Sequence, residues 1–153
     1  MKDLKEKATV VLASGAFDLV HYAHIRFLEE AKRAGGKFTK LIVVVARDRT
    51  VELLKGREPI IPEDQRRAVV EALKPVDEAV LGYEDLSLED TIAKIKPDIV
   101  ALGYDQSQIE SNVKKIIADK KLKVKIIRIK KFTPSDLNSS SKIKSKILKE
   151  SKV

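Results

Sequence analysis

The chain has 153 residues, 43% of them hydrophobic, no cysteine, two histidines and a net charge of +8 at neutral pH. That length suits a single domain with one sizeable core, and the missing thiols exclude disulfides, thiolate metal sites and cysteine nucleophiles, with a structural zinc site also disfavoured. No apolar run approaches the ~20 residues a bilayer span needs, and the N-terminus lacks a signal-peptide pattern, so a soluble cytoplasmic protein with no membrane partner is expected.

The charge is unevenly placed. Residues 112–153 hold 14 Lys and Arg against 3 Asp and Glu, while the rest of the chain holds 17 against 20. A basic C-terminal quarter attracts polyanions, or is simply a solvated surface.

Apolar runs rich in β-branched residues alternate with stretches of helical period. "TVVLASG" reads as a buried first strand ending at Gly15. "IRFLEEAKRAG" puts Ile25, Leu28, Ala31 and Phe27 on one helical face and most charges on the other, with Gly35 and Gly36 as the stop. "KLIVVVA" is a second strand, with Asp48 just beyond its end. "PEDQRRAVVEALK" has the proline and acids of a helix start and closes at Lys74-Pro75. "VDEAVLG", "SLEDTIAKIK", "PDIVALG", "SNVKKIIADK" and "KVKIIRI" then alternate strand and helix. "SSKIKSKILKE" makes a last basic helix over about 139–150, with Ser or Asn as its cap. This order predicts a single α/β domain over 1–153, Rossmann-like and doubly wound, with a five-stranded, mainly parallel sheet. Ligands of such sheets sit outside the carboxyl ends of the strands, so 15–24, 46–48 and 103–106 are expected to face one crevice.

Both histidines fall in "GAFDLVHYAHIRFLEEAKRAG", three residues apart where strand gives way to helix. Neither G-x-x-x-x-G-K-[ST] nor G-x-G-x-x-G follows the first strand, which speaks against a Walker-type hydrolase or an ordinary dinucleotide dehydrogenase. If a helix begins near His21, His21 and His24 share its first turn, among free backbone N–H groups at the positive end of the dipole. That is an anion site, suited to stabilising charge in phosphoryl or nucleotidyl transfer, although two polar residues at a helix start have the same pattern.

This stretch resembles the G-x-F-D-x-x-H-x-G-H signature of the cytidylyltransferase-like nucleotidyltransferases. The resemblance continues through "VVVARD", "KGREP", "PEDQRRAVVEALKPVDEAV", "PDIVALGYDQ" and "SSSKIKSKI", and "PDIVALGYDQ" is most similar to the small archaeal FAD synthases. It implies attack by a substrate phosphate on the α-phosphorus of a nucleoside triphosphate, with FMN and ATP as substrates, pyrophosphate as leaving group and Mg²⁺, bound mainly by the phosphates, as cofactor.

Carried over by position, it implies that His21 and His24 contact the triphosphate and that Lys55 and Arg57 form a mobile basic segment neutralising phosphates. Gly15, Ala16, Phe17, Asp18, Arg66, Gly103, Asp105, Gln106, Ser139, Ser140 and Ser141 would bind the nucleotide. Asp18 would orient the first turn or assist the metal, or bond local N–H groups; Arg66 would lie near the triphosphate; Gly103 would allow close backbone approach. Tyr104 and Asp48 would meet the substrates. Three departures stand out: Ala23 replaces a usual glycine, Ala16 a common threonine, and Lys130, Lys131 and Thr133 only approximate an arginine–threonine pair.

Other readings stay open. CTP could replace ATP, and glycerol phosphate or another small phosphate ester could replace FMN. From another class come an inactive nucleotide-binding protein, suggested by Ala16 and Ala23, and a nucleic-acid binder, which the lone aromatic of the basic quarter, Phe132, disfavours. A homodimer, common in the family, is also allowed.

Overall fold

The computed structural model describes residues 6–84, 87–132 and 139–152; Thr133 lies outside them. The elements run β1 (Thr9–Gly15), α1 (Tyr22–Ala34), β2 (Thr39–Val45), α2 (Asp48–Lys55), α3 (Glu63–Glu71) and β3 (Glu78–Leu81). They continue with α4 (Leu88–Ile95), β4 (Ile99–Leu102), α5 (Ser107–Lys120), β5 (Lys125–Arg128) and α6 (Ser140–Glu150).

All five strands pair in parallel, in the order β3-β2-β1-β4-β5, which is the Rossmann-like arrangement the sequence predicts. Val11, Ala13, Leu41, Val43 and Val45 turn to one face, against Leu28 and Ala31 of α1 and Val70 of α3. Leu12, Val44, Val100 and Leu102 turn to the other, against Ile92 of α4 and Val113 of α5. A strand covered on both faces needs apolar residues at successive positions, which explains the unbroken runs in the sequence. No helix among the described residues is long and apolar enough to cross a membrane.

Helix α2 was not anticipated. It is only two turns long, Thr50 and Val51 are its only buried residues, and Leu53 and Leu54 are exposed, so little of it packs on the core. Helix α3 stops at Glu71, short of Lys74, and α5 begins at Ser107 instead of Ser111 because its first turn is polar.

The site is positioned by an asymmetry around β1. Strands β1 and β2 stay paired through Gly15 and Val45. Strands β1 and β4 pair only at Val11 with Ile99 and Leu12 with Val100, and then part. The sheet order reverses here, so a crevice opens between the carboxyl ends of β1 and β4.

Candidate functional site

The segment leaving β1 is tightly built. Phe17 is in the left-handed region at φ 52°, where a bulky residue is rarely found, and its ring is buried. A Cβ on Gly15 would lie 2.9 Å from that ring, so Gly15 makes room for Phe17. The ring in turn tilts against His24 with 5.2 Å between centroids. The Phe17 side chain thus reaches the site through His24.

His21 is the N-cap of α1 and His24 sits in its first turn. The rings stack 3.9 Å apart, and the His21 backbone N–H donates to His24 Nδ1 at 3.2 Å. That bond makes Nδ1 the acceptor and puts the His24 proton on Nε2. His21 Nδ1 is buried without a hydrogen-bond partner among the described residues. Burial lowers the His21 pKa; burial, then His21, then Lys55 lower that of His24 to about 4. Both imidazoles are therefore neutral at neutral pH. Ala23 belongs to α1 and is not among the residues at positive φ, so the helix has no need of glycine there.

Asp18 is nearly enclosed. One oxygen accepts from the backbone N–H groups of Ile60 and Ile61, both at 2.9 Å, and the other pairs with Lys144 Nζ at 2.7 Å. Burial pushes its pKa up, but Lys144 and the N–H groups of Ile61 and Ile60 outweigh that and hold it below the ordinary carboxylate value. Its partners lie far along the chain, not in the first turn of α1, and they occupy the carboxylate that a metal would use.

Arg66 also differs from expectation. It has no exposed surface. Its Nε donates to Ile61 O at 2.8 Å, its Nη1 to Ala16 O and Ala46 O at 2.6 and 2.7 Å, and its Nη2 to Asp48 Oδ1 at 2.7 Å. A side chain so enclosed ties the loops after β1 and β2 to the segment before α3, with four of its five N–H donors taken by the protein. Asp48 is correspondingly a partner of Arg66 before it is anything to a substrate, and Ala16 contributes a carbonyl.

The cations converge from two sides. Lys55 ends α2, and its pKa is lowered by loss of solvation, then by Arg57 and Lys144, with Asp18 and Asp105 opposing. Arg57 donates to Ser141 Oγ at 3.0 Å. Ser139 caps α6 by accepting from the Lys142 N–H at 3.2 Å, and Ser140 Oγ donates to Leu19 O at 3.3 Å. The start of α6 is thereby held against the loop that starts α1. Lys144 was not singled out in the sequence, although four residues after Ser140 it shares that serine's helical face.

Across the crevice, a Cβ on Gly103 would lie 3.1 Å from Asp105 Oδ1 and 3.6 Å from Gln106 Oε1. Gly103 accordingly leaves room for its own turn. Tyr104 and Asp105 are exposed on that turn. Gln106 Oε1 accepts from the Gly103 N–H at 2.8 Å and its Nε2 donates to Ser14 O at 3.1 Å.

Two helix N-termini, a neutral histidine pair and the cations Lys55, Arg57 and Lys144 thus meet beside the crevice, an arrangement fitted to a polyphosphate. The cytidylyltransferase-like family model matches residues 12–146. The chain belongs to the cytidylyltransferase-like family. It is 48% identical over 138 residues to an FAD synthase of Aciduliprofundum boonei, covering 90% of this chain and 89% of that one. It is 48% identical to an FAD synthase of Methanothermus fervidus over 136 residues, covering 89% and 92%. A crystal structure described as the lipopolysaccharide core biosynthesis protein of Thermoplasma volcanium superposes with a TM-score of 0.76 at 41% identity, over 83% of this chain and all of that one.

Two outcomes are expected for this cytidylyltransferase-like site. Arg66→Lys keeps a charge but cannot serve three carbonyls and a carboxylate from one nitrogen, so urea unfolding will show a loss of about 3 kcal/mol; a loss under about 1 kcal/mol contradicts the tie. Histidine free in the unfolded chain titrates near 6.5 and His24 in the fold near 4, so the unfolded state binds more protons between those values and stability drops as pH falls through them. Between pH 7 and 5 the drop is about 2 kcal/mol, and His24→Gln, which retains an acceptor for the cap, removes most of it. Equal wild-type stability at the two pH values contradicts the buried, neutral pair.

Proposed function

We infer that this protein is an FAD synthase, an FMN adenylyltransferase. The observation that carries the reading is the near-full-length match to archaeal FAD synthases at up to 48% identity. An oxygen of the FMN phosphate attacks the α-phosphorus of ATP, the new P–O bond forms, the bond from the α-phosphorus to the bridging oxygen breaks, and pyrophosphate leaves with that oxygen.

The chain's own groups divide the work simply. A phosphate monoester with its second ionisation near about 6 is already a nucleophile at neutral pH, so no strong base is needed. Catalysis then rests on positioning and on stabilising charge. His24 offers its Nε2–H as a neutral donor, held by the cap bond and the Phe17 ring. His21 lies beside it, and α1 and α6 supply backbone N–H groups from their first turns. Lys55, Arg57 and Lys144 supply positive charge, and Ser139, Ser140 and Ser141 line the start of α6. Tyr104 and Asp105, on the β4 side, are left for the nucleoside and the flavin.

No group of three or more His, Asp or Glu among the described residues could hold a metal ion, and the Asp18 carboxylate is taken. These residues do not form a resident metal site; a divalent cation arrives on the phosphates, as the magnesium complex of ATP.

The test is chromatographic analysis of products from FMN with ATP or CTP and magnesium. FAD is the expected product with ATP, and His24→Ala lowers its formation by about 10²-fold, the scale of losing one donor to transition-state charge. No flavin dinucleotide from the wild type overturns the assignment, and a loss below about threefold overturns the role of His24.

A further inference from the structure

We propose that Gln106 is a positioning residue that sets the width of the nucleotide crevice and so governs selection between purine and pyrimidine triphosphates. The proposal rests on the reading of the crevice as the nucleotide site of an FAD synthase.

Strands β1 and β4 are paired only as far as Leu12 and Val100, and Gly15 and Gly103 mark their separated ends. Past Leu12, β1 keeps its pairing with β2 but has no further strand partner in β4. The Gln106 amide spans this gap. Its oxygen takes the Gly103 N–H on the β4 side, and its nitrogen gives a hydrogen to Ser14 O on the β1 side, at 2.8 and 3.1 Å. One N–H of the amide is left over, so the group is largely committed to the protein and reads little of a ligand directly. Gln106 is also the N-cap residue of α5, and its own N–H bonds Gly103 O at 3.2 Å. The two residues enclosed between Gly103 and Gln106 are Tyr104 and Asp105. Their turn is consequently pinned at both ends by one residue.

The phosphate-facing groups sit on the β1 side: the start of α1, Lys55 and the start of α6. A nucleotide with its phosphates there and lying across the crevice places its nucleoside against the pinned turn. The distance between the two sides then decides whether a two-ring or a one-ring base reaches the turn when the α-phosphate is correctly placed. A group that fixes this distance acts on the choice of base without touching it.

The test compares kcat/KM for ATP and for CTP, with FMN as acceptor, in wild type, Gln106→Met and Gln106→Glu. Met keeps the length and removes both bonds. Glu keeps an acceptor for the Gly103 N–H and sets a carboxylate against Ser14 O. Each variant is expected to lower the ATP:CTP ratio of kcat/KM at least about fivefold, with KM for ATP up about tenfold, the scale of one lost hydrogen bond. Where CTP turnover in the wild type is below detection, a measurable rate in the variants is the supporting result. A merely structural role lowers both activities in proportion, so a ratio within about twofold of wild type in both variants overturns the proposal. Should Gln106→Met fail to fold, the same-length Gln106→Glu decides alone. Absence of FAD formation by the wild type overturns the functional reading itself, and is distinguished from failure of the Gln106 role because the latter leaves wild-type turnover intact.

Discussion

A guanidinium with no exposed surface holds four oxygen atoms from three separate stretches of chain. Arg66 bonds Ala16 O after β1, Ala46 O after β2, Asp48 in the first turn of α2, and Ile61 O before α3. Loop carbonyls at the edge of a parallel sheet have no ladder partner, and a buried carbonyl without a donor is costly. One planar, permanently charged group with five donors supplies several of them at once. Ile61 is gripped from both sides, its carbonyl by Arg66 and its N–H by Asp18. The segment that carries Lys55 and Arg57 therefore ends on a fixed point. Asp18 extends the same frame to α6 through Lys144, so the pieces that face the polyphosphate are tied to one another before any ligand binds.

Within that frame the two histidines are held uncharged. A cation at His21 would face loss of solvation, and one at His24 would face loss of solvation, then His21, then the ammonium of Lys55. The positive charge of the site sits on lysines and arginine, while the imidazoles offer directed donors. In the proposed reaction this separates attraction of the substrate from stabilisation of the transition state, where donor geometry matters most. The order of the strands makes the separation possible, because the reversal beside β1 opens a crevice with one wall on each side of it.

Much of this was legible in the sequence, for reasons that can be stated. Strands buried on both faces leave continuous β-branched runs, and helix starts leave polar caps, so the sheet, a helix start near His21 and a Ser or Asn cap for α6 could be read. The eight residues of α2 could not, because two turns are too short for a helical period to be told from a charged loop, and Leu53 and Leu54 stay exposed. Arg66, Asp18 and Phe17 were recognisable as members of a binding motif, but their partners lie up to 126 residues away, and no spacing tells whether a charged group faces a ligand or the rest of the protein. Gly15 and Gly103 each leave room for a side chain of their own loop, a steric need that the sequence pattern does not reveal. Lys144 was hidden by abundance, one lysine in a run of them, and its burial against Asp18 is a tertiary fact.

The central claim is that a neutral, stacked histidine pair at the start of α1 receives the triphosphate. Nitrogen-15 NMR of histidine-labelled protein tests it most directly, since only two residues report. The account predicts that in the free protein at pH 6 the His24 ring is uncharged with its proton on Nε2, that His21 ionises below the ordinary histidine value, and that ATP with magnesium shifts the Nε2 signals of both. Two rings titrating near the ordinary histidine value, with signals unmoved by the nucleotide, would contradict it.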